Sequence, residues 1–209
     1  MIKGIVFDLD GTLVNTAKVL AEAWTKAFLA ENINVDFNEI YKNTRGISSK
    51  EIIRKYRDNS NKEDMERIKN KRREDFLSII KVGSSILYPE TAEVLSKLRA
   101  MGVKTAIGTG MSMDLLPSVI KMTGLNESVD AVVSSDDVDK GKPFPDIFLE
   151  AFKRIGVIPT EGMVVGDSIN DIVPGKKIGS VTVFISREHE KLEMSDININ
   201  NLKEILDFL

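Results

Sequence analysis

The sequence contains no cysteine and only one histidine, His189, among its 209 residues. Without cysteine, the chain has neither a disulfide framework nor a thiolate metal site. A single histidine cannot by itself build a zinc site or complete a serine-histidine triad. Any metal that this chain binds would therefore be a hard cation held by oxygen ligands.

Long apolar runs are also missing, and no stretch approaches the roughly 18 apolar residues of a membrane span. The N-terminus lacks a basic segment followed by a small-residue cleavage site. A net charge of -3 and a pI near 5.4 give no overall attraction to nucleic acid. We therefore expect a cytoplasmic globular protein that binds neither nucleic acid nor a membrane.

Short runs rich in valine and isoleucine recur along the chain without alternation of polar and apolar residues, which is typical of parallel strands buried on both faces. Amphipathic helical patterns lie between them, as in 90–101 and in 112–122, where Asp114 falls in the predicted first turn. This order predicts an α/β fold with a Rossmann-like, doubly wound parallel sheet. The predicted strands are 2–7, 103–107, 131–133, 163–165 and 181–185.

The segment that follows the first strand has a different character. It holds amphipathic helical patterns over 16–31, 48–59 and 62–81 and no strand candidate. We therefore predict an α/β core domain formed by 1–15 and 82–209 and a helical insertion, residues 16–81. Residues 13–15 and 82–85 would be its hinge-like connections. Trp24 and Phe28, four residues apart, predict the core of the insertion, and the mixed charges of 50–75 are typical of a solvated face.

Polar residues gather where the predicted strands end. In doubly wound sheets, ligands bind outside the carboxyl ends of the strands. Clustered carboxylates would repel one another there unless a cation balanced them, and Asp8, Asp10 and Asp167 can supply the oxygen ligands that Mg²⁺ prefers. Such an ion would also gather a phosphoryl group against a carboxylate. The candidate residues at these positions are Asp8, Asp10, Thr109, Gly110, Lys142, Asp167 and Asp171.

Four motifs, DLDGTL, IGTG, GKPFPD and GDSINDI, resemble in order the signature motifs of the haloacid dehalogenase superfamily of phosphohydrolases. The resemblance spans nearly the whole chain. A helical insertion just after the first motif resembles the C1-type cap of the phosphoglycolate phosphatase and β-phosphoglucomutase branch. The resemblance implies a Mg²⁺-dependent phosphatase that acts on a small phosphorylated metabolite, such as phosphoglycolate, a sugar phosphate or pyrophosphate, through an aspartyl-phosphate.

The resemblance also implies a role for each motif residue. Asp8 would be the nucleophile, and Asp10 the acid that protonates the leaving alcohol and the base that then activates water. Thr109 and the Gly110 N–H would bind phosphoryl oxygens, and Lys142 would bridge those oxygens and the nucleophile. These groups would surround one phosphate.

The remaining implied residues hold the metal or contact the substrate. Asp167 would be a direct ligand together with Asp8 and Asp10, whereas Asp171 would hold a metal-bound water or orient the catalytic lysine. In the insertion, the stretch 44–50 resembles the substrate loop of C1-capped members, and Arg45 is its candidate substrate contact.

Simpler structural alternatives stay open for several of these residues. Asp10 and Gly11 could form the corner of a strand-end turn. Thr109 could cap a helix, and Asp171 could cap the helix after the fourth predicted strand. Arg45 could be a solvated loop residue.

Competing functions are distinguishable by motif. A sugar phosphomutase would use the same aspartyl-phosphate, but Asp171 is present and Ser49 stands where the mutase cap has a loop arginine, which favours hydrolysis. A non-catalytic relative would lack the nucleophile or the acid, and both are here. A response-regulator receiver has no helical insertion after its first strand. Gly108–Gly110 lacks the third glycine of a dinucleotide fingerprint, and no P-loop surrounds Lys142.

Overall fold

The structure, a computed structural model, describes residues 1–44, 46–80 and 86–209. Its strands are short and join in one all-parallel sheet. They are β1 (Gly4–Phe7), β2 (Lys104–Gly108), β3 (Ala131–Val133), β4 (Gly162–Gly166), β5 (Val181–Ile185) and β6 (Ile197–Ile199). The strand order β3-β2-β1-β4-β5-β6 puts β1 in the middle, between β2 and β4. The predicted α/β fold with a doubly wound parallel sheet is confirmed.

Helices cover both faces of this sheet. In chain order, the described α-helices are α1 (Ala17–Ala30), α2 (Phe37–Asn43), α3 (Ser49–Tyr56), α4 (Lys62–Ile79), α5 (Thr91–Ala100), α6 (Leu116–Thr123), α7 (Asp146–Ile155) and α8 (Ile169–Lys177). Ile5 and Phe7 of β1 belong to the hydrophobic cluster that contains α5, whereas Val6 belongs to the cluster that contains α7. Successive side chains of a strand point to opposite faces, so β1 is buried on both sides, as its apolar run predicts.

The four helices α1 to α4 follow β1 and have a hydrophobic cluster of their own. Trp24 and Phe28 pack in it with ring centroids 5.6 Å apart, which confirms their predicted place in the core of the insertion. Helix α2 was not predicted, because its seven residues include a single buried side chain, Ile40. None of the described helices combines the length and the apolar character that crossing a bilayer requires.

The two connections between the insertion and the sheet run side by side where they are described. The Asn15 N–H donates to the Ile86 carbonyl at 2.7 Å, and the Tyr88 N–H donates to the Leu13 carbonyl at 3.1 Å. The second predicted hinge, residues 82–85, lies outside the described residues. The described ends of the two connections are thus tied together by backbone hydrogen bonds.

The structure differs from the sequence-based expectations in three places. Helix α6 begins at Leu116, with Pro117 in its first turn, so Asp114 precedes the helix; proline favours the first turn of a helix because it lacks an N–H. The mixed-charge segment 50–75 is not solvated throughout, because Arg72 is buried. Strand β6 and the 3₁₀ helix Leu202–Phe208 were not predicted.

Candidate functional site

A buried lysine and two buried aspartates lie at the carboxyl end of the central strand. Asp8 directly follows β1, and its N–H donates to the Val165 carbonyl of β4 at 2.8 Å. Lys142 comes from the loop before α7, and its Nζ donates to Asp8 Oδ1 at 2.6 Å and to Asp171 Oδ1 at 2.7 Å. All three side chains are almost completely buried. Lys142 thus holds one oxygen of Asp8, and the other oxygen of that carboxylate takes no part in the ion pair.

Asp167, at the end of β4, joins this group. Carboxylate oxygens of Asp8, Asp167 and Asp171 lie within 4.8 Å of one another, which is close enough for a shared cation. Asp8 Oδ2 is buried and has no hydrogen-bond partner among the described residues. The second oxygen of Asp171, in contrast, accepts hydrogen bonds from the Ser168 hydroxyl at 2.8 Å and the Ser168 N–H at 3.1 Å.

The two roles left open for Asp171, a helix cap and a partner of Lys142, are therefore compatible in one side chain. It forms a capping box with Ser168 at the start of α8 and also holds Lys142. With both of its oxygens engaged, Asp171 is a weaker candidate for direct metal ligation than Asp8. The ligands that the three carboxylates offer are all oxygen atoms, which suits a hard cation such as Mg²⁺.

Gly11 allows the chain to turn beside the acidic group. Its φ of +84° lies in the left-handed region, and a Cβ at this position would stand 1.8 Å from Asp167 Oδ2. Any side chain here would therefore displace the carboxylate as well as strain the backbone. The glycine that follows Asp10 is required by the close approach of the two loops.

Asp10 is half-buried and does not belong to the group formed by the carboxylates of Asp8, Asp167 and Asp171. Its Oδ1 accepts a hydrogen bond from the Thr16 hydroxyl, at the position just before α1. Its carboxylate is not among the oxygens that gather at Asp8 and Asp167. The structure thus brings together two of the three predicted metal ligands and places the third where it faces the insertion.

The predicted phosphate-binding residues follow β2. Thr109 is fully buried, and its hydroxyl accepts a hydrogen bond from the Met111 N–H at 3.0 Å. It does not cap α6, because the N-cap position of that helix is Leu115. The alternative of a helix-capping threonine is therefore wrong, and the role in phosphate binding stays a prediction.

The insertion lies directly over these residues. A Cβ on Gly110 would stand 2.8 Å from the carbonyl oxygen of Gly46, and a Cβ on Gly46 would stand 3.0 Å from the Ser168 hydroxyl. Ser48 caps the N-terminus of α3 in a capping box formed with Glu51. Arg45, the predicted substrate contact, lies outside the described residues.

Burial and like charges shape the protonation of the site. Burial raises the pKa of Asp8 to about 7; Lys142 opposes this rise, and Asp171 and Asp167 add to it. Burial also raises the pKa of Asp10 to about 7, with a further contribution from Asp8 and opposition from the Thr16 hydrogen bond. Burial alone would lower the pKa of Lys142, but Asp171 and Asp8 outweigh it and raise the pKa above its usual range. The lysine is therefore a fixed cation, whereas the two aspartates titrate near neutrality.

These shifts predict a pH-dependent stability without metal. A carboxyl group whose pKa rises on folding stabilises the folded state fully below its unfolded pKa, and this contribution disappears as the pH rises through about 7. Between pH 6 and pH 8 we expect a loss on the order of 1 kcal/mol per group, or a Tm lower by roughly 2–4 °C for each. Thermal denaturation in EDTA measures this difference.

Two controls identify the source of this pH-dependent loss of stability. Mg²⁺ should raise Tm more at pH 8 than at pH 6, because the ionised carboxylates bind the cation more strongly. The variants Asp8→Asn and Asp10→Asn should each flatten the EDTA profile. A wild-type Tm in EDTA that is equal or higher at pH 8 would contradict the assignment of these pKa values.

Arg72 was missed in the sequence because it lies in a segment of mixed charge. It occupies the buried face of α4 together with Ile68 and Phe76, four residues before and after it. Its Nη2 donates to Asp114 Oδ2 at 2.8 Å, which ties helix α4 to the loop before α6. The four-residue spacing between two apolar residues was the available signal, since it puts all three on one helix face.

Arg187 was missed as well, and no motif marks it. It follows β5, and its guanidinium donates to the Gly11 carbonyl at 3.0 Å and to Glu90 Oε1 at 2.7 Å. The same guanidinium stacks over the ring of Tyr88, 3.3 Å from its centroid. Arg187 thus braces the turn that carries Asp10.

Comparisons with known proteins agree with this arrangement. The family model for haloacid dehalogenase-like hydrolases matches residues 2–179. The glyceraldehyde 3-phosphate phosphatase of Methanocaldococcus jannaschii is 32% identical, and the match covers 100% of this chain and 97% of that protein. The phosphoglycolate phosphatase of Escherichia coli is 27% identical, over 94% of this chain and 86% of that protein.

Solved structures give the same result. The crystal structure of a hydrolase from Pseudomonas syringae is 26% identical, with a TM-score of 0.87, and covers 99% of this chain and 97% of its own. The family model spans most of the chain, and the relatives extend over nearly all of it. The chain therefore belongs to the haloacid dehalogenase-like hydrolase family, in the branch that includes named phosphatases such as phosphoglycolate phosphatase.

Proposed function

We propose that this chain is a Mg²⁺-dependent phosphatase that hydrolyses a small phosphorylated metabolite through an aspartyl-phosphate on Asp8. The observation that carries the proposal is the setting of that carboxylate. Lys142 holds Oδ1 at 2.6 Å, whereas Oδ2 is buried and has no hydrogen-bond partner among the described residues. Leaving a buried acceptor unpaired costs about 1–3 kcal/mol, and more for a charged group, so its presence here supports a functional use.

The donor set fits a magnesium ion. Asp8 and Asp167 would hold it through carboxylate oxygens, with Asp171 beside them, and the raised pKa of Asp8 is what a cation would reverse. When bound, Mg²⁺ would neutralise charge on the phosphoryl group and on the carboxylate that attacks it. The carboxylate of Asp10 stays a predicted ligand.

The two aspartates divide the chemistry between them. Asp8 Oδ2 forms a bond to phosphorus as the bond from phosphorus to the leaving oxygen breaks, and protonated Asp10 gives its proton to that oxygen. Asp10, now ionised, takes a proton from a water molecule that attacks the aspartyl-phosphate and releases phosphate and Asp8. A pKa of about 7 suits Asp10 to both directions of proton transfer.

The surrounding residues position these groups. Lys142 would stabilise the phosphoryl oxygens while it keeps Asp8 in place, and Asp171 in turn orients the lysine. Thr109 and the Gly110 N–H would bind the remaining phosphoryl oxygens. Thr16 fixes the Asp10 carboxylate through one oxygen.

Residues 16–81 would act as a cap on a core domain formed by 1–15 and 82–209. The close approach of Gly46 to Gly110 and Ser168 supports a cap that excludes bulk water during transfer. Substrate entry would then require the cap to move on the paired connections near Asn15.

The cytoplasmic location stays a prediction.

Phosphate release from a panel of phosphorylated metabolites tests the proposal. The panel includes glyceraldehyde 3-phosphate and phosphoglycolate, which the names of the relatives give as their substrates, together with pyrophosphate and β-glucose 1-phosphate. We expect hydrolysis with Mg²⁺, its loss in EDTA and its recovery when Mg²⁺ is restored in excess. Conversion of β-glucose 1-phosphate to glucose 6-phosphate without phosphate release would favour the mutase instead, and no turnover of any member would contradict both.

A further inference from the structure

A small cavity lies between the insertion and the sheet domain, on the side of the site that Asp10 and Gly110 face. Its volume is about 50 Å³, and its lining includes Trp24, Ser49 and Arg72 from the insertion. A cavity of this size holds only a few water-sized groups. A two- or three-carbon leaving group would fit it better than a hexose.

Arg72 is one of the lining residues, and its guanidinium includes a buried donor without an acceptor among the described residues. Its side chain is 2% exposed, and its guanidinium lies 4.9 Å from the centroid of the Trp24 ring. Nη2 donates to Asp114 and, at 3.3 Å, to the hydroxyl of Ser49, but Nε is buried with no partner among the described residues. A buried charged donor is costly to leave unpaired, so an acceptor on the substrate would be bound strongly at Nε.

The charge of Arg72 is already balanced on its other side. Asp114 pairs with it at 2.8 Å. A negatively charged group on the substrate would therefore enter a space without excess positive charge and would lose its hydration there. A carbonyl or hydroxyl oxygen would satisfy Nε without that cost.

We propose that this cavity receives the leaving group and selects two- or three-carbon phosphate monoesters that present an uncharged oxygen to Arg72. Phosphorylated carboxylates and hexose phosphates would be poorer substrates. The inference rests on the proposed phosphatase function, and it adds the size and charge of the preferred leaving group. Arg72 is then a substrate-binding residue, and Asp114 is a positioning residue that acts through it.

Matched substrates test the selection. We expect kcat/KM with Mg²⁺ to be at least about tenfold higher for glyceraldehyde 3-phosphate and glycerol 3-phosphate than for 3-phosphoglycerate, phosphoglycolate or glucose 6-phosphate, since one differential hydrogen bond or charge is worth about 1.4 kcal/mol or more. p-Nitrophenyl phosphate serves as the reference for phosphoryl transfer itself. A wild-type preference for the carboxylates or the hexose phosphate would overturn the inference.

The variant Asp114→Asn separates charge selection from a structural role. It leaves the guanidinium unbalanced, so the ratio of kcat/KM for 3-phosphoglycerate to that for glycerol 3-phosphate should rise about tenfold. Loss of structure alone would lower both values together. An unchanged ratio in a folded variant, judged by circular dichroism, would overturn the inference; if the variant does not fold, the wild-type ranking decides.

The variant Arg72→Met provides the complementary result. It should lower kcat/KM for glycerol 3-phosphate by a larger factor than for p-nitrophenyl phosphate, and an equal loss for both would count against substrate contact. If p-nitrophenyl phosphate is hydrolysed but no two- or three-carbon ester is, the leaving-group inference fails and the phosphatase proposal stands. If nothing in the panel is hydrolysed, the phosphatase proposal itself fails.

Discussion

Replacement of Asp8 by asparagine is expected to abolish phosphate release and to leave the fold intact. An amide oxygen is a poor nucleophile and a weak ligand for magnesium, so both parts of the chemistry proposed for this side chain disappear together. We expect the turnover number to fall by at least about 10³-fold, as is usual when a nucleophile is removed. Phosphate release at saturating substrate and Mg²⁺ measures the loss.

The fold should survive because asparagine has nearly the same volume and Lys142 keeps a second partner. Asp171 Oδ1 lies 2.7 Å from the lysine and still balances its charge. Circular dichroism and thermal denaturation in EDTA verify folding, and Asp207→Asn, at an exposed position near the C-terminus, is the matched control that should keep full turnover. A folded Asp8→Asn variant that retains most of its activity would exclude Asp8 as the nucleophile.

Replacement of Asp10 by asparagine should lower kcat/KM by a factor that depends on the leaving group. General acid catalysis contributes about 10²- to 10⁴-fold, and an alkyl phosphate needs it because an alkoxide is a poor leaving group. p-Nitrophenol leaves without a proton, so the first step should stay fast for p-nitrophenyl phosphate. Breakdown of the aspartyl-phosphate should still be slow, because the base is missing.

A fast first step followed by slow breakdown of the aspartyl-phosphate predicts a burst of nitrophenol. Asp10→Asn should release about one nitrophenol per active site rapidly and then proceed slowly, which is the sign of an accumulating covalent intermediate. The variant Thr16→Val keeps the carboxylate but removes its hydrogen bond, so we expect a smaller loss with the same dependence on the leaving group. Equal relative losses of kcat/KM for alkyl and nitrophenyl phosphates in Asp10→Asn would argue against the acid role, because kcat/KM reports the phosphorylation step.

The sheet and the acidic group were predictable from sequence because both depend on local patterns. A buried parallel strand needs a continuous apolar run, and the carboxyl ends of such strands meet at one edge, so the positions of Asp8 and Asp167 follow from the runs before them. Strand β6 (Ile197–Ile199) was not predictable in this way, because its three residues include the polar Asn198. Its place in the sheet depends on pairing with β5 rather than on its own sequence.

The leaving-group side of the site was much less predictable. Arg72 and Asp114 are 42 residues apart, and their ion pair exists only because the insertion lies over the sheet domain. Neither strand ends nor helix periodicity specifies that contact, and burial of a charged residue goes against the usual preference for the surface. By contrast, Lys142 lies in the GKPFPD motif, which marked it as a candidate site residue from the sequence alone.

Phosphorylation of Asp8 is the step on which the proposed chemistry depends most, and chemical trapping of the acyl phosphate tests it directly. Sodium borohydride reduces an aspartyl-phosphate to homoserine, which peptide mass spectrometry then locates. The Asp10→Asn variant, mixed with p-nitrophenyl phosphate and Mg²⁺ and quenched during the burst, should contain homoserine at position 8 and only when substrate is present. Homoserine at another aspartate, or a nitrophenol burst with none at position 8, would contradict the account.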